Sequence, residues 1–162
     1  MSENRPPGSL AHALLRIPVP WVFILAYLAG VALEFALRLR GTIPDRLGWT
    51  ILGASLFALG AVIAGWGWSL FHQARTTRVP GEASTTLVTW GPYRFTRNPM
   101  YVGLSLAYLG EAGMLHQIAP VLLLPLVIVY LNQVAIPLEE ERLRGVFGSA
   151  YTQYQAKVRR WL

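Results

Sequence analysis

Four long apolar runs, parted by short polar stretches, dominate the chain. The first extends from Trp21 to Leu37 and is interrupted only by Glu34 near its end. The second, Leu47 to Phe71, carries no charge at all. The third, Pro99 to Leu115, has Glu111 near its far end, and the fourth, Ile118 to Leu138, is uncharged with Asn132 and Gln133 near its end. A helix that crosses a bilayer needs about 20 largely apolar residues, within a range of roughly 17–25. The pattern therefore predicts an all-α integral membrane protein with about four transmembrane helices. So few residues part the third run from the fourth that these two are expected to form a tight hairpin.

Met1 to Pro20 is polar and proline-rich, and no small-residue cleavage site follows the first apolar run. That run is therefore expected to be a membrane helix and not a signal peptide. Residues 1–162 read as a single membrane domain, with a two-span region and loop over 1–86 and the more polar chemistry over 87–162. The second run is rich in small residues, and Gly60–Ala64 and Ala61–Gly65 have the spacing that lets helices approach closely. Gly65-Trp66-Gly67 lacks both a third glycine and a preceding strand, so it is helix-packing chemistry and no nucleotide fingerprint.

Composition strengthens the membrane reading: 54% of residues are hydrophobic and 14% charged, where soluble domains carry roughly 25% charge. With no cysteine, disulfides, thiolate metal sites and cysteine nucleophiles are excluded. No two of the three histidines lie at ligand spacing, so no metal is expected. A net charge of +6 is the chemistry of nucleic-acid binding in a soluble protein. Here basic loops facing anionic headgroups are the simpler source, and no nucleic-acid partner is expected. With the N-terminus inside, eleven of the fourteen Lys and Arg fall in inner segments, among them Arg5, Arg16, Arg75, Arg78, Arg94 and Arg97. Arg38, Arg40 and Arg46 fall outside. The positive-inside rule then puts both termini and the loop between the second and third runs in the cytoplasm.

Two inner segments hold the polar chemistry. In the first, Gly91-Pro92 signals a turn, and Pro99 suits a first helical turn, where its missing N–H costs nothing. Arg97 and Asn98 then sit among unpaired backbone N–H groups that favour an anion, with Tyr101 and Gly103 one turn on. Arg and Tyr are equally common as interfacial anchors, and residue type alone does not separate the two readings. The second segment opens with Glu139-Glu140-Glu141 at the exit of the fourth run. Leu143, Phe147, Tyr151, Tyr154, Val158 and Trp161 follow at helical spacings, which predicts an amphipathic segment lying on the membrane or the bundle. The glutamates read either as a solvated face, with Glu140 paired to Arg144, or as a cluster for a cationic ligand.

At these segments the chain resembles the isoprenylcysteine carboxyl methyltransferase and phospholipid methyltransferase families. The resemblance runs through Gly91-Pro92-Tyr93, Arg97-Asn98-Pro99-Met100-Tyr101-Val102-Gly103, an apolar hairpin, then Glu139-Glu140, Leu143, Phe147-Gly148, Tyr151, Tyr154 and Val158, covering residues 87 to 161. Where those families have a histidine this chain has Asn98, which keeps a hydrogen bond but cannot carry a proton.

The resemblance implies a cytoplasmic pocket for S-adenosylmethionine, covered by the C-terminal segment. Tyr93, Arg97, Asn98, Pro99, Tyr101, Gly103, Glu139, Glu140 and Tyr151 would bind the cofactor, with Arg97, Glu139 and Glu140 as the catalytic residues. A lipid-like or prenylated substrate would enter from the bilayer, and a bacterial inner membrane is the expected location. Carboxyl O-methylation of an isoprenylcysteine-type substrate fits the resemblance best. Phospholipid N-methylation is the alternative, and related folds in sterol reductases bind a nicotinamide cofactor. For an amine acceptor Glu139 or Glu140 would be the base, with His72 as a further candidate. A non-catalytic scaffold or transporter subunit is the remaining class. Its charges would have to be Glu34 and Glu111, both read as lying toward the outer span ends where water is reachable.

Overall fold

The computed structural model describes residues 18–39, 47–73 and 86–162, and among these every regular element is helical. His12, Arg5, Arg16, Arg40, Arg46, Arg75 and Arg78, which entered the charge and histidine arguments, lie outside the described residues, as does the side chain of His72. The helices are α1 (Val19–Leu37), α2 (Leu47–Gln73), α3 (Pro99–Met114), α4 (Ile118–Tyr130), α5 (Ile136–Phe147) and α6 (Ser149–Lys157). A 3-10 turn, Gly91–Arg94, precedes α3, and a π-turn, Leu131–Ala135, joins α4 to α5. Three helical stretches are long and apolar enough to cross a membrane: Val19–Leu37, Leu47–Phe71 and Ile118–Phe147. The apolar runs of the sequence thus end within a few residues of the helices they predict.

One boundary differs. The fourth run continues as helix past Leu138 into the charged segment, up to Phe147. Pro137 does not stop it, although a proline ring clashes with the carbonyl four residues back. That carbonyl belongs to Gln133, inside the π-turn, where the widened backbone makes room. The stop comes at Gly148, whose φ of 53° and ψ of −124° suit glycine and little else. The amphipathic segment is therefore two helices, and its last two apolar positions, Val158 and Trp161, lie beyond α6 in non-helical chain. Spacing reported which residues turn inward, not that the helix was continuous.

α2 and α3 run antiparallel in backbone contact. A Cβ on Gly60 would fall 2.5 Å from the carbonyl oxygen of Gly103, and one on Gly103 would fall 2.6 Å from the nitrogen of Ala64. Gly53, seven residues before Gly60, and Gly110, seven after Gly103, face each other in the same way. α2 is long and apolar enough to cross a membrane, and small residues on such a helix let a neighbouring helix approach to backbone contact. Of the two small-residue pairs read from the sequence, Gly60–Ala64 is in this contact. Ala61 and Gly65 are exposed, with nothing near Gly65.

α1 packs on α4 through the same device, with Gly30 against the backbone of Pro120. Phe23, Tyr101, Tyr108, Leu124, Val127, Leu131 and Ile136 fill the core between α1, α3 and α4. Glu34 corrects the sequence reading. It is 4% exposed, and its carboxylate accepts the N–H of Ala119 at 3.1 Å. The first N–H groups of α4 have no partner within the helix and carry the positive end of its dipole, so a carboxylate is held there away from water. Tyr27 donates to Gln117 beside it at 2.6 Å.

The α2–α3 contact predicts an asymmetry. Gly103→Leu should cost about 1–3 kcal/mol by overpacking, whereas Gly65→Leu should leave stability nearly unchanged. Thermal unfolding of the two variants in detergent checks it, and equal effects would contradict the packing.

Candidate functional site

The site is built where the 86–97 segment, the start of α3, α5 and the C-terminal residues meet. Gly91 takes φ 61° to open the 3-10 turn. This drops Tyr93 into the interior at 2% exposure, edge-on to Phe71 of α2 with ring centres 5.5 Å apart. The carbonyl of Tyr93 accepts the hydroxyl of Tyr154 from α6 at 2.8 Å.

The three consecutive glutamates have three different fates. Glu141 is exposed. Glu139 is half-buried, and its carboxylate accepts the hydroxyl of Tyr101 at 3.1 Å. Glu140 is buried and surrounded by guanidinium groups. Arg160 meets it with two bonds, at 3.2 and 2.8 Å, Arg97 lies at 3.1 Å and Arg144 at 3.6 Å. The Glu140–Arg144 pair read from spacing is thus present, but as the outermost member of a buried cluster and not as a solvated face. Two-pronged guanidinium–carboxylate bonds are among the stronger polar contacts in proteins.

Asn98 is buried, and its side-chain N–H donates to the carbonyl of Arg160 at 3.0 Å. Thr96 donates its hydroxyl to the same carbonyl at 3.0 Å, and the N–H of Arg97 donates to the carbonyl of Arg159 at 2.9 Å. Trp161 donates its indole N–H to Asn132, in the π-turn, at 2.8 Å. The residues after α6 are therefore strapped across the start of α3.

An open cleft lies between these elements. Of the nine residues expected at a cofactor site, Tyr93, Arg97, Glu139 and Tyr151 line it. Glu140 and Asn98 stand behind the wall and hold the strap. Pro99 is fully buried in the first turn of α3, Tyr101 reaches the site only through Glu139, and Gly103 is turned toward α2. Phe71, Val88 and Arg142 also line the cleft without having been singled out from the sequence, as do Leu143 and Tyr154, read there as positions of the amphipathic segment and of the resemblance. Arg142 had a signal, being a basic residue one turn from Glu139. The strapping role of Arg160, twenty residues from Glu140, had none.

The wall combines both charges with apolar surface. Arg97 and Arg142 offer cationic groups, Glu139 an anionic one, and Leu143, Val88 and the tyrosines apolar faces. The Nε of Arg97 is buried with no hydrogen-bond partner among the described residues. Burial, reinforced by the Glu140 carboxylate and opposed by Arg97, pushes the Tyr151 hydroxyl up to about 12. Such a wall can meet the charged and the apolar parts of one small ligand.

Residues 49–150 match the model of the phospholipid methyltransferase family. The chain belongs to that family. The match reaches back over nearly all of α2, which no motif in the sequence had attached to it, and bears out the resemblance read from the second half. Protein-S-isoprenylcysteine O-methyltransferase of Schizosaccharomyces pombe is 35% identical over 112 residues. The aligned region is 69% of this chain and 45% of that protein, so the chain spans about half the length of the curated relative it matches.

Two outcomes follow for this member of the phospholipid methyltransferase family. Glu140→Gln leaves three guanidinium groups facing a neutral amide, so stability should fall by about 3–5 kcal/mol. Glu139→Gln should cost no more than about 1.5 kcal/mol; thermal unfolding of both variants checks the contrast. For Tyr151 the folded protein holds the phenolic proton more tightly than the unfolded chain, whose tyrosines titrate near 10. Its contribution is thus complete below about pH 10 and is lost as pH rises toward about 12. Tyr151→Phe should shrink the loss of stability in that window.

Proposed function

We propose that this chain is a membrane-embedded methyltransferase that uses S-adenosylmethionine and acts on a lipid-like acceptor, with the cleft as its cofactor site. The family match over residues 49–150 carries the reading, because that stretch contains most of the cleft wall. The cofactor supplies an electrophilic methyl group on a sulfonium, together with a carboxylate, an ammonium and an adenine ring. Glu139 faces the cleft with one oxygen fixed by Tyr101, and it would sit toward the cationic part. Arg97 and Arg142 would take the carboxylate. Leu143, Val88 and Tyr151 would bury the ring. Glu140 has its oxygens engaged by guanidinium donors, which fits a residue that fixes Arg97 better than one that moves a proton.

Four crossings complete the proposal. α3 has 16 residues, about 24 Å of helix against a hydrocarbon core of about 30 Å. It runs beside α2 from the level of Gly67 to that of Gly53, and α4 follows after three residues. A short span flanked by longer helices is accommodated by local bilayer thinning. With α3 and α4 as a hairpin and both termini in the cytoplasm, the cleft opens to the soluble cofactor while the acceptor arrives through the bilayer.

Carboxyl O-methylation of an isoprenylcysteine-type acceptor is favoured by the name of the curated relative, and phospholipid N-methylation by that of the family. The two differ in their need for a base. A carboxylate is already an anion at neutral pH, whereas an amine has to lose a proton first, a task for which Glu139 is the residue at hand.

Isothermal titration of the detergent-purified protein with S-adenosylhomocysteine tests the cofactor. Micromolar binding is expected, weakened about tenfold or more by Glu139→Gln and by Arg97→Ala, in line with loss of a charged hydrogen bond. Absence of binding to folded wild type would sink the methyltransferase reading in favour of a reductase-like or scaffold role. The pH profile of methyl transfer then separates the acceptors. It is flat above pH 6 for a carboxylate and rises with pH for an amine.

A further inference from the structure

We infer that α6 is a lid over the cleft, hinged at Gly148 and latched by residues Arg159–Trp161. The inference deepens the proposed function by giving the same cleft a gate, although the motion itself does not depend on which ligand the cleft takes.

α6 has nine residues, too few to be stable as an isolated helix. Its buried residues are Tyr151 and Tyr154, and both line the cleft. Thr152, Gln153 and Ala156 on the other side are exposed. The helix is thus a cover one side chain deep. A hydroxyl tip holds it to the 3-10 turn, through Tyr154 and the carbonyl of Tyr93. An exposed bond from Arg144 to Gln155 at 3.1 Å holds it to α5.

At its start α6 is joined to α5 through Gly148 alone. This glycine is exposed, has a positive φ, and nothing lies within 4 Å of where its Cβ would be. Rotation there meets no packed neighbour and no side-chain penalty. At its end the fastening is dense. Within three residues the chain accepts bonds from Arg97, Thr96 and Asn98 through two carbonyls, pairs Arg160 with Glu140, and inserts Trp161 against Asn132. A free joint at one end and a cluster of polar bonds at the other is the build of a hinged cover. Polar bonds can be exchanged for water on opening, which an apolar interface cannot do.

Two residues that the sequence pointed to as ligand contacts, Asn98 and Glu140, take the part of keepers for this latch. They are positioning residues, acting on the cleft through the strap.

Hydrogen exchange followed by mass spectrometry of the detergent-solubilised protein, without ligand, tests the lid. In Arg160→Gln, amides of 149–157 should exchange about ten- to a hundredfold faster, the range set by losing a charged hydrogen bond, while α2 and α3 stay at the wild-type rate. Trp161→Phe, which keeps an aromatic side chain and loses the indole N–H bond to Asn132, should shift the same amides in the same direction by a smaller factor. Unchanged exchange in 149–157, or an equal rise throughout α2 and α3, would overturn the lid. A second arm adds S-adenosylhomocysteine. Slower exchange in 149–157 of wild type, with both association and dissociation faster in Arg160→Gln, supports a gate on cofactor access. If that probe does not bind, the cofactor reading fails while the first arm still decides the lid.

Discussion

A carboxylate shut away from water has to be surrounded by donors, and Glu140 finds its donors in three separate stretches of chain. Arg97 comes from the start of α3, Arg144 from α5 itself, and Arg160 from beyond α6. Desolvating Glu140 and Arg97 is costly, and the cluster is favourable because its geometry is good and the partly exposed Arg144 and Arg160 share the carboxylate. That requirement makes the cluster a coordinate system. Once Glu140 leaves the membrane end of α5 pointing inward, the beginning of α3 and the C-terminal residues have to come to it. The cleft is the space left between the elements so assembled.

The charged cluster can be exacting because the apolar part of the fold is fixed by other means. Close packing of small residues can hold a helix pair without large apolar side chains between them. α2 and α3 interlock at Gly53, Gly60, Gly103 and Gly110, where nothing larger would fit. This contact sets the height of the start of α3 relative to the end of α2, and therefore the height of Arg97 and Asn98 relative to Phe71. One end of the helix pair sets the other, and the position of the cleft follows from helix packing many residues away.

Much of this was legible in the sequence, for a physical reason. Long apolar helices are announced by length and composition, so Trp21–Leu37, Leu47–Phe71 and Pro99–Leu115 could be bounded closely, whereas the fourth run, read to Leu138, continues as helix to Phe147. The two polar segments stood out because each is set among apolar residues, and it was the family resemblance that assigned them to one site. The partners of individual charges were not legible. Glu34 meets Ala119 across 85 positions, and Glu140 meets Arg160 across twenty. No local rule links such residues, since only the packing of whole helices makes them neighbours. Gly103 shows the same limit from the other side. A glycine near a proposed ligand reads as room for the ligand, while here the room is taken by another helix. The fourth run was ended at Leu138, where the charges begin, but the helix carries on through Pro137 because a π-turn makes room for its ring.

Asn98 shows how function and structure trade places in such a site. The resemblance puts a histidine at this position, and an asparagine there first reads as the loss of a proton carrier. In the folded chain the group that matters is a side-chain N–H aimed at the carbonyl of Arg160, with Thr96 on the same acceptor. An imidazole N–H and an amide N–H are both donors, so the exchange keeps a donor at this position and gives up the ability to titrate. A latch needs the donor and has no use for the proton. The substitution that looks most damaging to catalysis is, in this geometry, conservative for the contact the residue makes.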